Sequence, residues 1–219
     1  MLSLFALALF AQQTGHPVFG VTTVIPGGLK GDIYHLSENT QSLDILTSLK
    51  PVGSIYTHTL NIPPQDFSFG FPGVTDRFEW FAVDYRGKFW IETPGMYRFR
   101  LVSDDGALLF IDDQLIVDND GVHSPAVRLA SLRLSGGMHT IRVAYFQGPA
   151  HTVALTLEIA PPGGQAKIFS TEEFKPPSDP EAWRFAAHPP TASDDPMLAR
   201  YIPPRIDAPV EKGKRRKRR

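Results

Sequence analysis

Two adjacent carboxylates, Asp104 and Asp105, lie between strand-like runs at residues 96–102 and 107–111, with a serine before them and a glycine after them. Hard cations such as calcium bind several oxygen atoms on a short loop, and neighbouring carboxylates supply such oxygens. Aspartate and glycine are also ordinary turn residues, so a turn without a ligand is the alternative interpretation. The chemistry that this pair suggests is the binding of a cation or a polar ligand.

Short runs in which apolar and polar residues alternate surround the pair and must position it. Such alternation, interrupted by turn residues, is typical of an antiparallel all-β domain. Residues 43–46 predict a short helical turn, and residues 61–74, rich in proline, phenylalanine and glycine, predict a long ordered loop. Strands are predicted at residues 29–34, as an edge strand, and at 78–85, 88–92, 96–102, 107–111, 115–117, 128–134, 140–146 and 153–159.

Chain direction predicts where the polar loops lie. If each turn reverses the chain, the loops at residues 103–106, 118–123 and 147–151 all fall at one end, whereas a second aspartate pair, residues 112–113, turns at the opposite end. A β-sandwich presents its binding loops together on a rigid scaffold in this way. The sequence therefore predicts an antiparallel β-sandwich with a polar site at one end, and it predicts only a turn at residues 112–113.

The second of these loops adds oxygen-bearing side chains to the aspartate pair. Asp118, Asn119 and Asp120 follow one another directly, and with Asp104 and Asp105 they make five candidate side chains. Calcium takes about 6–8 oxygen ligands, some of them from water or the backbone. Two loops of this composition at one end of the fold strengthen the hypothesis of a cation or polar-ligand site.

A series of motifs runs through the strand-rich region in a fixed order. They are FAVDYRGKF at residues 81–89, PGMYRF at 94–99, SDDG at 103–106, ID at 111–112, DNDGVH at 118–123 and GMHTIRVAYFQG at 137–148. As a series they resemble the protective-antigen domain family, PA14, over residues 28–161. Each motif alone is unspecific, but the ordered set is specific.

The resemblance implies a β-sandwich and a set of expected functions. The family occurs in exported glycosidases, adhesins, toxins and signalling molecules, and several members bind carbohydrate. In its adhesin branch, the paired aspartates at the positions of Asp104 and Asp105 bind calcium, often across a cis peptide bond, and the metal then takes sugar hydroxyls as ligands. The expectation for this chain is an exported carbohydrate-binding module, assisted by calcium, with a glycan or polysaccharide as partner.

The third loop departs from the adhesin pattern. That branch places an asparagine in the loop after the strand that matches residues 140–146, whereas residues 147–151 here contain neither asparagine nor aspartate. Gln147 or Asn119 would have to supply the missing oxygen. The predicted metal ligands are Asp104, Asp105 and Asn119, and the predicted ligand-binding site adds Asp120 and Gln147.

The sequence carries no motif of a nucleophile elbow, a phosphate-binding glycine loop or a zinc protease. Glycoside hydrolysis needs carboxyl groups at least ~5 Å apart across a cleft, and adjacent aspartates suit a metal better. No enzyme is therefore predicted, and the alternative is a structural or protein-interaction domain of the cell envelope. His123 and His139 are expected to satisfy backbone groups, and Trp80, Trp90 and Phe146 to be buried rather than stacked on a sugar.

The two ends of the chain differ in composition from its centre. The apolar run at residues 1–11 resembles a secretory signal without its positive charges, and a buried N-terminal strand is the alternative. The expected location is therefore secreted, periplasmic or in the cell envelope. The predicted organisation is a signal peptide at residues 1–11, a linker at 12–27, the sandwich domain at 28–162, a proline-rich extended segment at 163–209 and a basic disordered tail at 210–219.

Charge and cysteine content set further bounds. The net charge of −1 combines +6 on residues 211–219 with −7 on the 210 residues before them. The basic end predicts either a solvated tail or contact with an anionic surface, and its lack of aromatic residues argues against specific nucleic-acid binding. The chain has no cysteine, which excludes disulfides, thiolate catalysis and zinc–thiolate sites.

Overall fold

The computed structural model describes residues 19–150 and 152–178, which form two antiparallel sheets packed face to face. Sheet A has six strands in the order β2-β1-β4-β9-β6-β7, and sheet B has the order β11-β10-β5-β8, with β3 also paired to β10. This confirms the predicted all-β antiparallel β-sandwich. The strands are β1 (Leu29–His35), β2 (Gly53–Thr57), β3 (Asn61–Asp66), β4 (Phe81–Ile91), β5 (Gly95–Asp104), β6 (Ala107–Ile111), β7 (Gln114–Asn119), β8 (Ala126–Leu134), β9 (Gly137–Gln147), β10 (Thr152–Ala160) and β11 (Lys167–Ile168).

Strand β5 shows why the alternating runs form strands of a sandwich. Tyr97, Phe99 and Leu101 are buried between the sheets, whereas Met96 and Arg98 are exposed on the outer face of sheet B. Successive side chains of a strand point to opposite faces, so a period of two buries one face and leaves the other in solvent. The apolar positions of β5 therefore fix which face of sheet B packs against sheet A.

The outer face of sheet A is covered by a second, smaller apolar cluster. A 3₁₀ helix at Leu43–Ser48 places Leu43 and Leu46 against Ala144 and Phe146 of β9. This confirms the helical turn predicted at residues 43–46. Because both faces of β9 are covered, its last residues read as a continuous apolar run rather than an alternating one.

The opposite end of the sandwich is closed by the β6–β7 hairpin. Asp112 and Asp113 have φ angles of 49° and 63°, as the central residues of a type I′ turn require. The Asp112 carboxylate also accepts hydrogen bonds from His139 Nδ1 at 2.6 Å and from the Thr140 N–H at 2.8 Å. The second aspartate pair is therefore turn chemistry, as predicted.

Three details of the strand prediction are wrong. β1 is not an edge strand, because it lies between β2 and β4, and the edge strand β2 escaped prediction as a short, polar run. The two runs predicted at residues 78–85 and 88–92 are one strand, β4. The predicted loop at residues 61–74 contains β3, whose Pro63 and Pro64 are tolerated at the border of a sheet.

Residues on both sides of the predicted 28–162 domain contribute to the core. Phe19 is 2% exposed, and its carbonyl accepts the hydroxyl of buried Tyr85, while Phe169 is fully buried against Phe89. The predicted signal peptide, residues 12–18 of the linker, residues 179–209 of the proline-rich segment and the basic tail lie outside the described residues. None of the helices in the described part of the chain has the length and apolarity to cross a membrane.

Candidate cation and ligand site

Asp105 joins the three polar loops at one end of the sandwich. Its Oδ1 accepts the backbone N–H of His123 at 2.8 Å, and its Oδ2 accepts the N–H of Gly148 at 2.7 Å. The segments 103–106, 118–123 and 147–150 therefore meet, as chain direction predicts. They meet although the chain passes from one sheet to the other at each of the three, between β5 and β6, between β7 and β8 and between β9 and β10.

Asp104 is held differently from its neighbour. The peptide bond between the two residues is cis, as the family resemblance implies. The Asp104 carbonyl accepts the hydroxyl of buried Tyr145 at 2.5 Å, whereas its carboxylate has no hydrogen-bond donor among residues 19–150 and 152–178. The Asp104 residue is 8% exposed, so the structure places a nearly buried carboxylate without a partner at the junction of the loops.

Electrostatics set the two carboxylates apart. The pKa of Asp104 is raised to about 6, chiefly by burial and also by the charge of Asp105, while His123 opposes the rise. Burial also raises the pKa of Asp105, but the backbone N–H groups of Gly148 and His123 oppose that rise. Because desolvation disfavours the charged form, a cation beside Asp104 would restore the charge that burial suppresses.

Asn119 is also buried at this junction and has an unpaired oxygen. Its Nδ2 donates to Ser103 Oγ at 2.7 Å and, at 3.4 Å, to the Ala126 carbonyl. Its Oδ1 is buried and has no hydrogen-bond partner in the described structure. A buried, unpaired acceptor costs free energy unless a cation or water satisfies it. Asn119 is hydrogen-bonded to Ser103, the residue before the aspartate pair, and its role as a metal ligand stays a prediction.

Gln147 lies at the same end but makes other contacts. Its Oε1 is 2.8 Å from the Tyr145 hydroxyl, and its Nε2 donates to the carbonyls of Ala150 and Thr152 at 3.1 and 2.9 Å. Gln147 is fully buried, so its amide holds the third loop against the strand that precedes it. Its role as a ligand stays a prediction, and the structure gives it a positioning function.

Asp120 is bound to the segment that enters the 3₁₀ helix. Its Oδ2 accepts the Ser42 hydroxyl at 2.7 Å, and the Leu43 N–H lies 3.1–3.2 Å from both carboxylate oxygens. Its Oδ1 also accepts the N–H of Gly121 at 2.9 Å. Ser42 is the N-cap of this helix, so Asp120 fastens the helix start to the second polar loop.

Replacing Asp120 by alanine is expected to destabilise the fold by about 1–2 kcal/mol, comparable to the loss of a helix cap. The reason is that the Ser42 hydroxyl and the Leu43 N–H lose their acceptor. Urea unfolding of the full chain measures the effect, with Asp118→Ala as the control because the exposed Asp118 accepts, from the residues that the structure describes, one hydrogen bond, that of the Asp120 N–H. Unchanged stability together with lost calcium binding would instead make Asp120 a metal ligand.

The remaining expectations concern rings near the site. Both nitrogens of His123 lie within 3.0 Å of backbone carbonyls, those of Ser124 and Asn119, as expected for a loop-satisfying histidine. Trp90 and Phe146 are buried, which confirms them as core residues. Trp80 is half-buried, so it is the one of the three predicted rings that keeps appreciable exposed surface.

The described residues contain no cluster of three or more His, Asp or Glu side chains that could hold a metal. The pair Asp104 and Asp105 therefore stays a prediction as a cation site, which needs oxygens from other residues as well. Ser103 and Tyr145, which sequence reasoning left out of the site, orient Asn119 and the Asp104 backbone. The sequence shows that Ser103 precedes the aspartate pair, but no sequence pattern predicts its hydrogen bond with Asn119.

The fold and this loop cluster define a class: antiparallel β-sandwiches with an acidic site at one end. The sequence profile of the PA14 domain matches residues 48–172, and the chain belongs to the PA14 domain family. This confirms the resemblance read from the motifs. A search of curated proteins finds no match.

Solved structures with the same fold include two PA14 domains and one adhesin domain. A PA14 sugar-binding domain from an RTX adhesin is 19% identical, covers 67% of this chain and 96% of its own, and has a TM-score of 0.56. The PA14 domain of the MpAFP antifreeze protein is 17% identical, with coverages of 66% and 87% and the same TM-score. The Epithelial Adhesin 9 A domain from Candida glabrata, solved with Galb1-3GlcNAc, is 12% identical, with coverages of 71% and 92% and a TM-score of 0.51.

Proposed function

We propose that this protein is a non-catalytic glycan-binding module in which Asp104 and Asp105 hold a calcium ion. The observation that carries the proposal is the nearly buried Asp104 carboxylate without a hydrogen-bond donor among the described residues, next in the chain to Asp105 and to Ser103, which holds Asn119 with its unpaired Oδ1. Three hard oxygen donors at the junction of three loops suit calcium, which binds carboxylate and amide oxygens. The sugar-binding domains that share this fold support a glycan as partner.

The proposal gives each residue of the site a separate role. Asp104, Asp105 and Asn119 supply oxygens to the ion, while Ser103 orients the Asn119 amide. Bound calcium supplies coordination positions that two neighbouring sugar hydroxyls can take in place of water. Because the protein contributes few ligands, the affinity for calcium is expected to resemble that of extracellular modules, near 10⁻⁴–10⁻³ M as an order of magnitude. An extracellular or envelope location is part of the proposal, since calcium is abundant there.

Calorimetric titration of the full chain with calcium, followed by a glycan array with and without chelator, tests the proposal. We expect a heat of calcium binding and array signals that the chelator removes. Calcium binding without glycan signals would contradict the glycan part. Absence of both would favour the alternative, a structural or protein-interaction domain of the cell envelope. A salt-sensitive signal lost on removing residues 210–219 would instead assign binding to the basic tail.

Calcium binding is expected to weaken as the pH falls through 6. The pKa of Asp104 lies at about 6, and a proton on this carboxylate competes with the ion. For a single competing proton, the calcium affinity drops about tenfold for each pH unit below that value and is flat well above it. Titrations in buffers on both sides of pH 6 measure this, and an affinity that does not vary with pH would exclude Asp104 as a ligand.

The raised pKa of Asp104 also predicts how the stability of the calcium-free protein changes with pH. The folded pKa of Asp104, about 6, is above the usual 3.8, so the folded state binds the proton more tightly than the unfolded state. The Asp104 contribution to stability is therefore greatest below pH 3.8 and is lost as the pH rises from 3.8 to 6. Calcium should offset that loss, so its stabilising effect on the melting temperature is larger at neutral pH than in acid.

A further inference from the structure

Strand β8 is an open edge of sheet B, far from the polar loops along most of its length. It pairs with β5 from Ala126 to Leu134, and in the described part of the chain no second strand is hydrogen-bonded to its other side. An exposed edge presents unpaired N–H and C=O groups that can template a further strand. Natural edges are usually shortened or covered, whereas β8 runs for nine residues.

The outer face of this edge is apolar where it is most exposed. Leu129 is 75% exposed, and Val127 and Met96 are 43% and 47% exposed. Val127 and Leu129 occupy alternate positions on the same face of β8, and Val102 of β5 lies opposite Val127. A leucine with three quarters of its surface in water, on an edge strand beside other apolar side chains, is typical of a surface that a partner covers.

Basic side chains flank these apolar positions. Arg100 lies opposite Leu129, Arg98 opposite Ser131, and Arg133 opposite Met96. Glu158 of β10, on the same face, is bonded to Arg100 at 2.9 Å. Around Leu129, Arg98, Arg100 and Arg133 therefore outnumber this carboxylate, although the first 210 residues of the chain carry −7 in total. A groove of about 400 Å³ runs across it, between the arginines and Leu129.

We propose that the β8 edge binds an extended acidic segment of a partner protein as an added strand. The backbone of that segment would pair with the outer side of β8, which supplies affinity independent of sequence. Its apolar side chains would cover Val127 and Leu129, and its carboxylates would face Arg133 and, one strand further in, Arg98 and Arg100. Cross-strand pairs of this kind stabilise a sheet when apolar meets apolar and acid meets base.

A second copy of the chain fits the edge less well. Antiparallel pairing of β8 with itself about Ala130 would place Val127 opposite Arg133 of the other copy. It would also bring two sets of outward arginines into one continuous sheet. Like charges at such distances are unfavourable, and an apolar side chain gains little beside an arginine head group. Charge complementarity therefore favours an acidic partner.

The test uses the fluorescein-labelled peptide Glu-Thr-Glu-Thr-Val-Thr-Val, whose fluorescence anisotropy is measured as the full chain is added. Paired antiparallel with β8, it places its valines opposite Val127 and Leu129 and its glutamates opposite Ser131 and Arg133, all on one face. We expect saturable binding that weakens with salt, and binding at least about tenfold weaker for the same peptide with lysine in place of both glutamates, because the charges then repel. Two further versions of the glutamate peptide test whether its backbone N–H groups pair with β8. One version is N-methylated at the odd-numbered residues and the other at the even-numbered residues. Only methylation of the residues whose N–H groups point towards β8 should abolish binding.

Surface variants locate the peptide without disturbing the core. Leu129→Glu and Arg133→Glu should each weaken binding at least about tenfold by placing a carboxylate beside the acidic peptide. The matched control is Leu115→Glu on β7, since Leu115 is 44% exposed at the edge of the other sheet. Equal binding of the lysine peptide, equal effects of both N-methylations, or no effect of Leu129→Glu would overturn the proposal.

Two other outcomes would also overturn it and name a different occupant. Polygalacturonate that displaces the peptide, combined with tolerance of both N-methylations, would assign the face to anionic polysaccharide. Concentration-dependent sedimentation that Leu129→Glu abolishes would assign it to a second copy of the chain. Because β8 is tested here without calcium, a failure of the glycan proposal would leave these results unchanged.

Discussion

Asp104→Asn is expected to abolish calcium binding while leaving the protein folded and, without calcium, at least as stable at neutral pH. The loss should exceed the about 10–100-fold that removal of an outer-shell partner of a metal ligand costs, because a charged ligand disappears. Burial raises the pKa of Asp104 to about 6, so its charge opposes folding at pH 7 when no cation is present. Asparagine removes that charge and keeps the shape. Calorimetry and thermal melts, each with calcium and with chelator, measure both effects.

The second aspartate pair supplies the matched control for this experiment. Asp113→Asn lies at the opposite end, at an exposed turn position with φ of 63°, which asparagine tolerates well. It should bind calcium like the unaltered protein. If Asp104→Asn keeps its calcium heat, the aspartate pair is not the cation site. If it only lowers the melting temperature, equally with and without calcium, the loop is structural and the glycan proposal fails.

The convergence of the loops could be predicted because antiparallel strands leave few choices. Each turn reverses the chain direction, even where it passes from one sheet to the other, so counting reversals placed Asp105, Asn119 and Gln147 at the same end. The contacts of each side chain could not be predicted. Asp120 bonds Ser42, 78 positions earlier, and no pattern in either segment links the two. Gln147 was predicted to supply an oxygen ligand, but its side-chain oxygen lies 2.8 Å from the hydroxyl of Tyr145, two residues away on the same face of β9.

The strand errors have a common physical cause. A strand is recognised in a sequence by its apolar positions, and β2 and β3 contain few of them: each has a single buried residue, Ile55 and Ile62 respectively. Their places in the fold are set by pairing with β1 and β10, which are apolar enough to have been predicted. β1 is an inner strand because β2 pairs with it, and β2 has too few apolar residues to be recognised from the sequence.

Gly106→Ala is expected to lower the free energy of unfolding by about 1–3 kcal/mol or more, as overpacking of a filled core does. A Cβ atom on residue 106 would overlap Cε1 of Phe146 and lie 2.7 Å from its Cδ1 and 2.9 Å from Asp120 Oδ1. Phe146 is fully buried beneath the 3₁₀ helix, and the Gly106 carbonyl accepts its N–H at 2.9 Å. Neither the ring nor the backbone can move away without disturbing the other.

Gly136→Ala is the matched control for this effect, because the nearest atom to its added Cβ is the Ile91 carbonyl oxygen at 3.7 Å, an ordinary contact. Urea unfolding should show Gly136→Ala within about 0.5 kcal/mol of the unaltered protein. The glycine after the aspartate pair is then needed for packing, since Phe146 and Asp120 leave no room for a side chain there. A Gly106→Ala protein as stable as the control would mean that this end of the sandwich can expand, and that the tight junction around Asp104 does not hold in solution.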